Sequence, residues 1–346
     1  MKAFALVAPS TFGPAELPDE RAPGPGEVVV HPVACGVCAS DVHYWLHGHI
    51  GDQIITSYPY AVGHECSGVV VEVGEDVTTV KSGDRVAIEP GITCRECPSC
   101  RAGRENICPN VRFLATPMYQ GGMRETILTQ ERNLEPLPDN MSFESAALCE
   151  PFGVGIHAVR LCGLADGETV AVFGAGPIGL STAVAARCRG AARVIVAEPV
   201  PERRALAAEM GFESIDVEAD PVEQIRDLTD GGVDVAFEAA GDQRAMAWTV
   251  AAPRLGGRAT LIGIPVEDTV SFDIHRIRRK ELTIFNCRRS NRVLAEAVRL
   301  LAGPGAELSR MCTHRFPVTD SERAFEMSSK REDGVVKAML LLDEEG

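Results

Sequence analysis

Apolar residues along this chain follow two rhythms, and the change from one to the other comes near residue 150. Up to about residue 90 the apolar runs are short, β-branched and cut by proline or glycine, as in Glu27-Val-Val-Val-His31 and Gly68-Val-Val-Val-Glu-Val-Gly74. Such runs predict strands with few helices between them, closing as a small barrel or sandwich. Lys81 to Ile88 adds a tight turn at Gly83-Asp84 that feeds another strand.

From about Pro151 strand-like and helix-like segments alternate. Glu168–Phe173, Arg193–Ala197, Val233–Phe237 and Arg258–Ile262 read as strands, and Pro177–Cys188, Pro201–Met210 and a stretch near Gln243–Ala251 read as helices. This alternation predicts βαβ units and a parallel sheet. The tail breaks the rhythm, with a helix at Val293–Leu301, a strand-like Met311–Val318 and a final Val335–Leu342. It is expected to return to the first domain. The organisation expected is therefore 1–150, 151–286, and a return over 287–346. Residues 91–111 fit neither rhythm. They are polar and lack apolar periodicity, so they cannot bury a core of their own and something else must order them.

Composition narrows the classes. A chain of 346 residues is comfortable for two domains, and 45% hydrophobic with 24% charged residues is ordinary for a globular protein. A net charge of -15 argues against a nucleic-acid surface and against an anionic membrane surface. The apolar run before Pro9 is too short for a signal peptide, and no segment is apolar for long enough to span a bilayer. The 12 cysteines are accordingly read as reduced thiols and metal ligands of a cytoplasmic protein.

Three patterns carry chemistry. Cys38, His64 and Glu65 offer a thiolate, an imidazole and a carboxylate, a set that suits zinc with one position left open for catalysis; taken alone, a buried thiol and a hydrogen-bonded ring are the commoner reading. Cys94-x2-Cys97-x2-Cys100-x7-Cys108 offers four thiolates that close a tetrahedral structural zinc site; disulfide pairing is the alternative, disfavoured by compartment and by the two successive two-residue gaps. Gly174-Ala-Gly176-Pro177-Ile178-Gly179 follows a predicted strand and opens a predicted helix, the setting in which a helix N-terminus receives a dinucleotide pyrophosphate. Glu198 follows at about the 20-residue distance expected of an acid that binds ribose hydroxyls. It favours NAD over NADP, while Arg203 and Arg204 nearby are cations of the kind that accommodate a 2′-phosphate.

With these residues in view, the chain resembles the zinc-dependent medium-chain alcohol dehydrogenases, and among them the sorbitol, or polyol, dehydrogenases. The resemblance covers essentially the whole chain. Its landmarks are Gly36-Val-Cys38-Ala-Ser40-Asp-Val-His43-Tyr44-Trp45, Gly63-His64-Glu65-x-x-Gly68, Gly83-Asp84-Arg85-Val86, Glu150-Pro151, Gly174 to Gly179, and Thr313-His314-Arg315-Phe316. It implies an α/β fold in which a doubly wound, parallel Rossmann sheet carries NAD and a GroES-like β-rich catalytic domain carries zinc, with the active site in the cleft between them.

The same resemblance assigns residues. Cys38, rather than Cys35, matches the catalytic thiolate, and His64 and Glu65 match its partners. Glu150 matches a further glutamate that in polyol dehydrogenases tends to hold the metal-bound water; the register with Pro151 selects it over Cys149 as a fourth member of the metal site. Tyr44, Phe113, Glu150 and Arg289 are expected at the substrate. Gly263, Ile264, Arg203, Arg288 and Arg289 join the glycine motif and Glu198 at the cofactor. Where polyol dehydrogenases commonly read Phe-Arg-Tyr, this chain reads Arg288-Arg289-Ser290, which alters the rim of the substrate pocket.

The activity implied is oxidation of a secondary hydroxyl of a sugar alcohol to the ketose, with hydride passed to NAD. Ser40 is expected to accept the hydroxyl proton, with His43 as its continuation, or Glu150 as the alternative. A dimer or tetramer is expected, with Leu282 to Cys287 as a candidate pairing edge. Other readings on the same fold are a threonine 3-dehydrogenase-like or idonate 5-dehydrogenase-like enzyme, and a non-enzymatic redox sensor or structural protein.

Overall fold

The ten-residue strand Glu27–Gly36 is the spine around which the first part of the protein is built. It pairs antiparallel with Glu65–Val73, with Lys337–Leu341 and, along its first half, with Ile127–Gln130. Arg85–Ile88, Leu134–Pro136 and Cys312–Pro317 complete a seven-stranded sheet. Val28 and Val30 join Val70, Ile88 and Ile127 in its core. Each such side chain contributes about 1.5–3 kcal/mol on burial.

The computed structural model describes residues 1–265, 267 and 269–342 and divides into two units. One comprises 1–150, 294–302 and 312–346, and the other 151–293 and 303–311. The tail thus joins the first unit from Leu294, later than the expected residue 287, and residues 303–311 go back to the second. Packing explains both shifts. Ser290 and Val293 close over Gly153, where a Cβ would meet each at 3.1 Å. The 3-10 segment Ala306–Met311 is tied by Glu307 to Arg187 and by Arg310 to Glu209, all within the second unit.

The second unit is a six-stranded, wholly parallel sheet in the order Glu213–Ile215, Arg193–Ala197, Thr169–Phe173, Val233–Glu238, Pro253–Leu261, Thr283–Asn286. In chain order this is 3-2-1-4-5-6, the dinucleotide-binding arrangement, whose switch point lies at the end of the first strand. Strands and helices fall close to their expected bounds, with Pro177–Cys188, Arg193–Ala197 and Gln243–Ala251 matching end to end. The strand Glu213–Ile215 and the helix Pro221–Leu228 have no counterpart in the expectations. Three residues are too few to show a period, and the helix follows a polar stretch, with Asp220 capping it through the Val222 N–H.

Candidate active site

In the first unit the strand Glu27–Gly36 runs out through Val37 and Cys38 into the helix Ala39–His47, with Cys38 at the N-cap position. His64 and Glu65 lead the strand Glu65–Val73. Glu65 pairs in register with Gly36, which brings the two chain segments together. One donor atom each from Cys38, His64 and Glu65 lies within 4.8 Å of the others. A sulfur, a ring nitrogen and a carboxylate oxygen so gathered fit zinc with a position to spare.

A second layer fixes these three. Asp41 Oδ2 lies 3.3 Å from His64 Nδ1, and Asp41 Oδ1 accepts from the Gly63 N–H at 3.2 Å. This leaves Nε2 as the ring nitrogen for the metal, the arrangement in which a carboxylate sets the tautomer and angle of a metal-binding histidine. Burial opposes charge on the His64 ring, but Asp41 and the Cys38 sulfur outweigh it and hold the ring well above the usual imidazole range. The Lys337 ammonium donates to both oxygens of Glu65, at 2.7 and 2.6 Å. Gly36 makes room for that carboxylate, since a Cβ there would lie 2.1 Å from Glu65 Oε2. The Phe113 ring sits 5.5 Å from the His64 ring, centroid to centroid. Ser40 Oγ donates to Cys38 Sγ at 3.3 Å.

The four cysteines of the lobe form the other donor group found among the described residues, with all four sulfurs within 4.8 Å of one another. Cys108 Sγ stands 3.5 Å from Cys94 Sγ and 4.0 Å from Cys97 Sγ. Four sulfurs on a zinc at about 2.3 Å sit about 3.8 Å apart, so the group fits that ion. The backbone N–H groups of Glu96 and Cys97 draw the Cys94 thiol down to about 6, whereas burial pushes Cys100 up to about 12. All 12 cysteines are free thiols.

In the second unit, Gly174 turns the chain at φ +109, Gly176 caps the helix Pro177–Cys188, and Ile178 lies in its first turn. Gly179 is where the helix meets the turn, and a Cβ there would lie 1.9 Å from the Gly174 carbonyl oxygen. Gly179→Ala should therefore cost about 1–3 kcal/mol of stability by overpacking and weaken NADH binding, which thermal melting and a fluorescence titration would read. Unchanged values for both would show the turn to be unimportant. Glu198 is buried, with Oε2 accepting from the Ala175 N–H at 2.6 Å and Oε1 from the Val200 N–H at 2.9 Å. A carboxylate has about four acceptor positions, and these two N–H groups take one on each oxygen. Arg204 is paired with Asp216 at 2.5 Å, whereas Arg203 Nη1 lies 3.8 Å from where a Cβ of Gly176 would be.

Two family profiles match the chain, "Alcohol dehydrogenase GroES-like domain" over residues 24–139 and "Zinc-binding dehydrogenase" over residues 177–303. The chain belongs to the zinc-binding dehydrogenase family. A sorbitol dehydrogenase of Bacillus subtilis (strain 168) is 36% identical over 317 residues, covering 91% of this chain and 90% of its own. A D-xylulose reductase of Saccharomyces cerevisiae (strain ATCC 204508 / S288c) is 34% identical over 347 residues, covering 98% and 97%. Among solved structures, a Sinorhizobium meliloti 1021 protein bound to NADP superposes with a TM-score of 0.88 at 31% identity, covering 98% of each chain. The two folds expected from the resemblance, GroES-like and Rossmann, are those of this zinc-binding dehydrogenase.

The remaining expected site residues are placed as follows. Glu150 opens the helix Cys149–Leu161, is 8% exposed and lies outside the three-donor group. Burial pushes its carboxyl up to about 7; His64 and Lys337 oppose the rise, and Glu65 and Glu89 assist it. Cys149 is buried, and burial raises its thiol. Cys35, set aside as a ligand, is fully buried against Cys66, sulfur to sulfur at 3.4 Å. His43 is half-buried, and burial, then His47 and His49, lower its basicity. Tyr44 belongs to the apolar core, with its hydroxyl on Gln53 Oε1 at 3.2 Å. Gly263 packs on Glu238, Ile264 is exposed, and Arg288 is exposed beside a half-buried Arg289 at φ +56.

Three residues at these sites escaped the sequence reading. Asp41 stands inside the Cys38-Ala-Ser-Asp run, and the habit of metal-bound histidines to hold a carboxylate was the signal available for it. Lys337 interrupts an apolar terminal strand, where a buried ammonium requires an anion. Glu238 ends a strand of the second unit and accepts from the N–H groups of Ala240, Gly241 and Gly263 at 2.7, 2.6 and 3.0 Å, which shapes the turn carrying Gly263.

Proposed function

We propose that this zinc-binding dehydrogenase oxidises a secondary hydroxyl of a sugar alcohol to the ketone, with NAD as acceptor. The observation that carries the reading is the Cys38–His64–Glu65 group, with His64 and Glu65 buried and Cys38 half-buried, on a chain that also has the glycine turn and Glu198. Relatives named for sorbitol and D-xylulose support the substrate class. When bound, zinc supplies a Lewis acid for the hydroxyl and NAD supplies the hydride acceptor.

The chain's own residues do the rest. Asp41 holds the His64 ring at its angle, and Gly36 and Lys337 hold the Glu65 carboxylate. Ser40, at the Cys38 sulfur, is the group that takes the hydroxyl proton, with His43 on the same helix as its onward carrier. Glu150, buried and acidic, bonds a neighbouring hydroxyl, and this favours polyols over simple alcohols. Phe113 packs against His64 and excludes water from that side. Glu198 takes the ribose hydroxyls and repels a 2′-phosphate.

A panel of pentitols, hexitols and simple alcohols, each with NAD and with NADP, tests the reading by reduced-nicotinamide absorbance. A polyol with NAD is expected to give the highest kcat/KM. Comparable efficiency on ethanol and a pentitol would overturn the substrate class, and preference for NADP would assign Arg203 to a phosphate and overturn the role of Glu198.

Two coarser features extend the proposal. The strand Thr283–Asn286 is an outer edge of the parallel sheet, and exposed Leu255, Ile264 and Ile274 occur on the same unit, which supports pairing with a second copy through this edge. Among the described residues no helix is long and apolar enough to cross a membrane. Four thiolates held for a metal fit a reducing compartment such as the cytoplasm.

A further inference from the structure

Glu65 stands in two sets of contacts. One of its oxygens belongs to the donor group with Cys38 and His64, and both of its oxygens accept from the ammonium of Lys337. The third partner of Lys337 is the Val37 carbonyl, at 2.9 Å. An ammonium has three N–H bonds, and three acceptor atoms take them all. Both side chains are 1% exposed. The strand register, Leu341 on Ala34, Leu340 on Cys35 and Met339 on Gly36, carries Lys337 past the end of its partner strand to the level of Val37 and Cys38.

We propose that Lys337 is a built-in counter-ion for Glu65, standing in for zinc in the metal-free enzyme and competing with zinc in the loaded one. The proposal rests on the reading that Cys38, His64 and Glu65 hold the catalytic zinc. Lys337 occupies one acceptor position on each oxygen, so Glu65 cannot turn both oxygens fully to a metal. The fixed ammonium also repels a divalent ion beside it. With a neutral side chain at 337, the buried Glu65 charge loses its contact counter-ion while the metal is absent, whereas zinc compensates it once bound. The metal-free state loses more than the loaded state, and by linkage zinc binds more tightly. Lys337 is thus a positioning residue that keeps Glu65 ready and its metal exchangeable. A lysine that merely propped up the ligand would have the opposite signature, since its loss would speed zinc release.

The test starts from zinc-loaded wild type, Lys337→Met and Lys337→Arg, each mixed with excess chromophoric chelator while zinc release is followed by absorbance. The phase belonging to this site is the one missing from His64→Ala. That phase should slow by about tenfold or more in Lys337→Met, within the range seen when groups behind metal ligands are changed, and stay near wild type in Lys337→Arg. The melting temperature gap between loaded and stripped protein should widen in Lys337→Met. Faster or unchanged release in Lys337→Met overturns the proposal, and the readout does not require its metal-free form to fold. A His64→Ala protein that keeps every phase overturns instead the zinc assignment beneath it.

Discussion

His64→Ala should bring turnover of a polyol to the limit of detection and remove one zinc per chain, while leaving the affinity for NADH within about twofold. The imidazole is one of only three donors in its group, and the ring is already held by Asp41 through Nδ1. Its loss leaves a sulfur and a carboxylate, too few to close zinc with one open position. The glycine turn and Glu198 lie in the other unit and keep their own hydrogen bonds. Asp41→Asn should be milder, about 10- to 100-fold in activity or metal affinity, because it loosens the ring without removing it. Metal content, steady-state rates and a fluorescence titration with NADH decide the matter. Full activity in His64→Ala would remove the site from this position.

Stripping zinc from the four-cysteine lobe should melt residues 91–111, and Cys100→Ser should do the same in part. The apolar cluster of the lobe consists of Cys94, Cys97, Cys100 and Cys108 with Val111, so the sulfurs are the core. Without a metal there is little apolar area to offset the entropy of ordering some twenty residues, about 1–2 kcal/mol each for the backbone. A structural zinc supplies the stabilisation that this small cluster lacks. Trypsin should then cut at Arg95, Arg101 or Arg104 in the stripped protein and spare them in the loaded one, with fragments read by mass spectrometry. Activity should fall too, because the strand pair Gly91–Ile92 with Arg112–Phe113 frames the lobe and Phe113 packs against His64. Equal protection with and without metal would mean that the lobe folds on its other contacts.

Local patterns were read well because their physics is local. The donors of the lobe lie within fifteen residues, and the glycine turn is a strand end, three glycines and a helix start, each signalled within one short segment. The strands of the second unit announced themselves because a buried parallel strand is a continuous apolar run between helices. Charge partners were not read, because nothing near a lysine in sequence says which carboxylate it will meet. Lys337 and Glu65 are 272 residues apart and meet only because the last strand joins the sheet beside Glu27–Gly36.

The unit boundary shows the same division. That the tail leaves the parallel sheet was visible in its change of rhythm. That it leaves at Leu294, and lends residues 303–311 back, depended on Ser290 and Val293 fitting over Gly153 and on the ion pairs of Glu307 and Arg310. By itself the sequence laid out a β-rich part and a βα part, the spacing of the four lobe cysteines and the glycine turn, since spacing and periodicity suffice for these, whereas Cys38, His64 and Glu65 were singled out by the family resemblance. Only the tertiary structure decided how the ligands are held, by Asp41 behind His64 and Lys337 across Glu65. A buried charge takes its partner from whatever the packed strands bring within three ångströms or so, and that is a property of the whole fold.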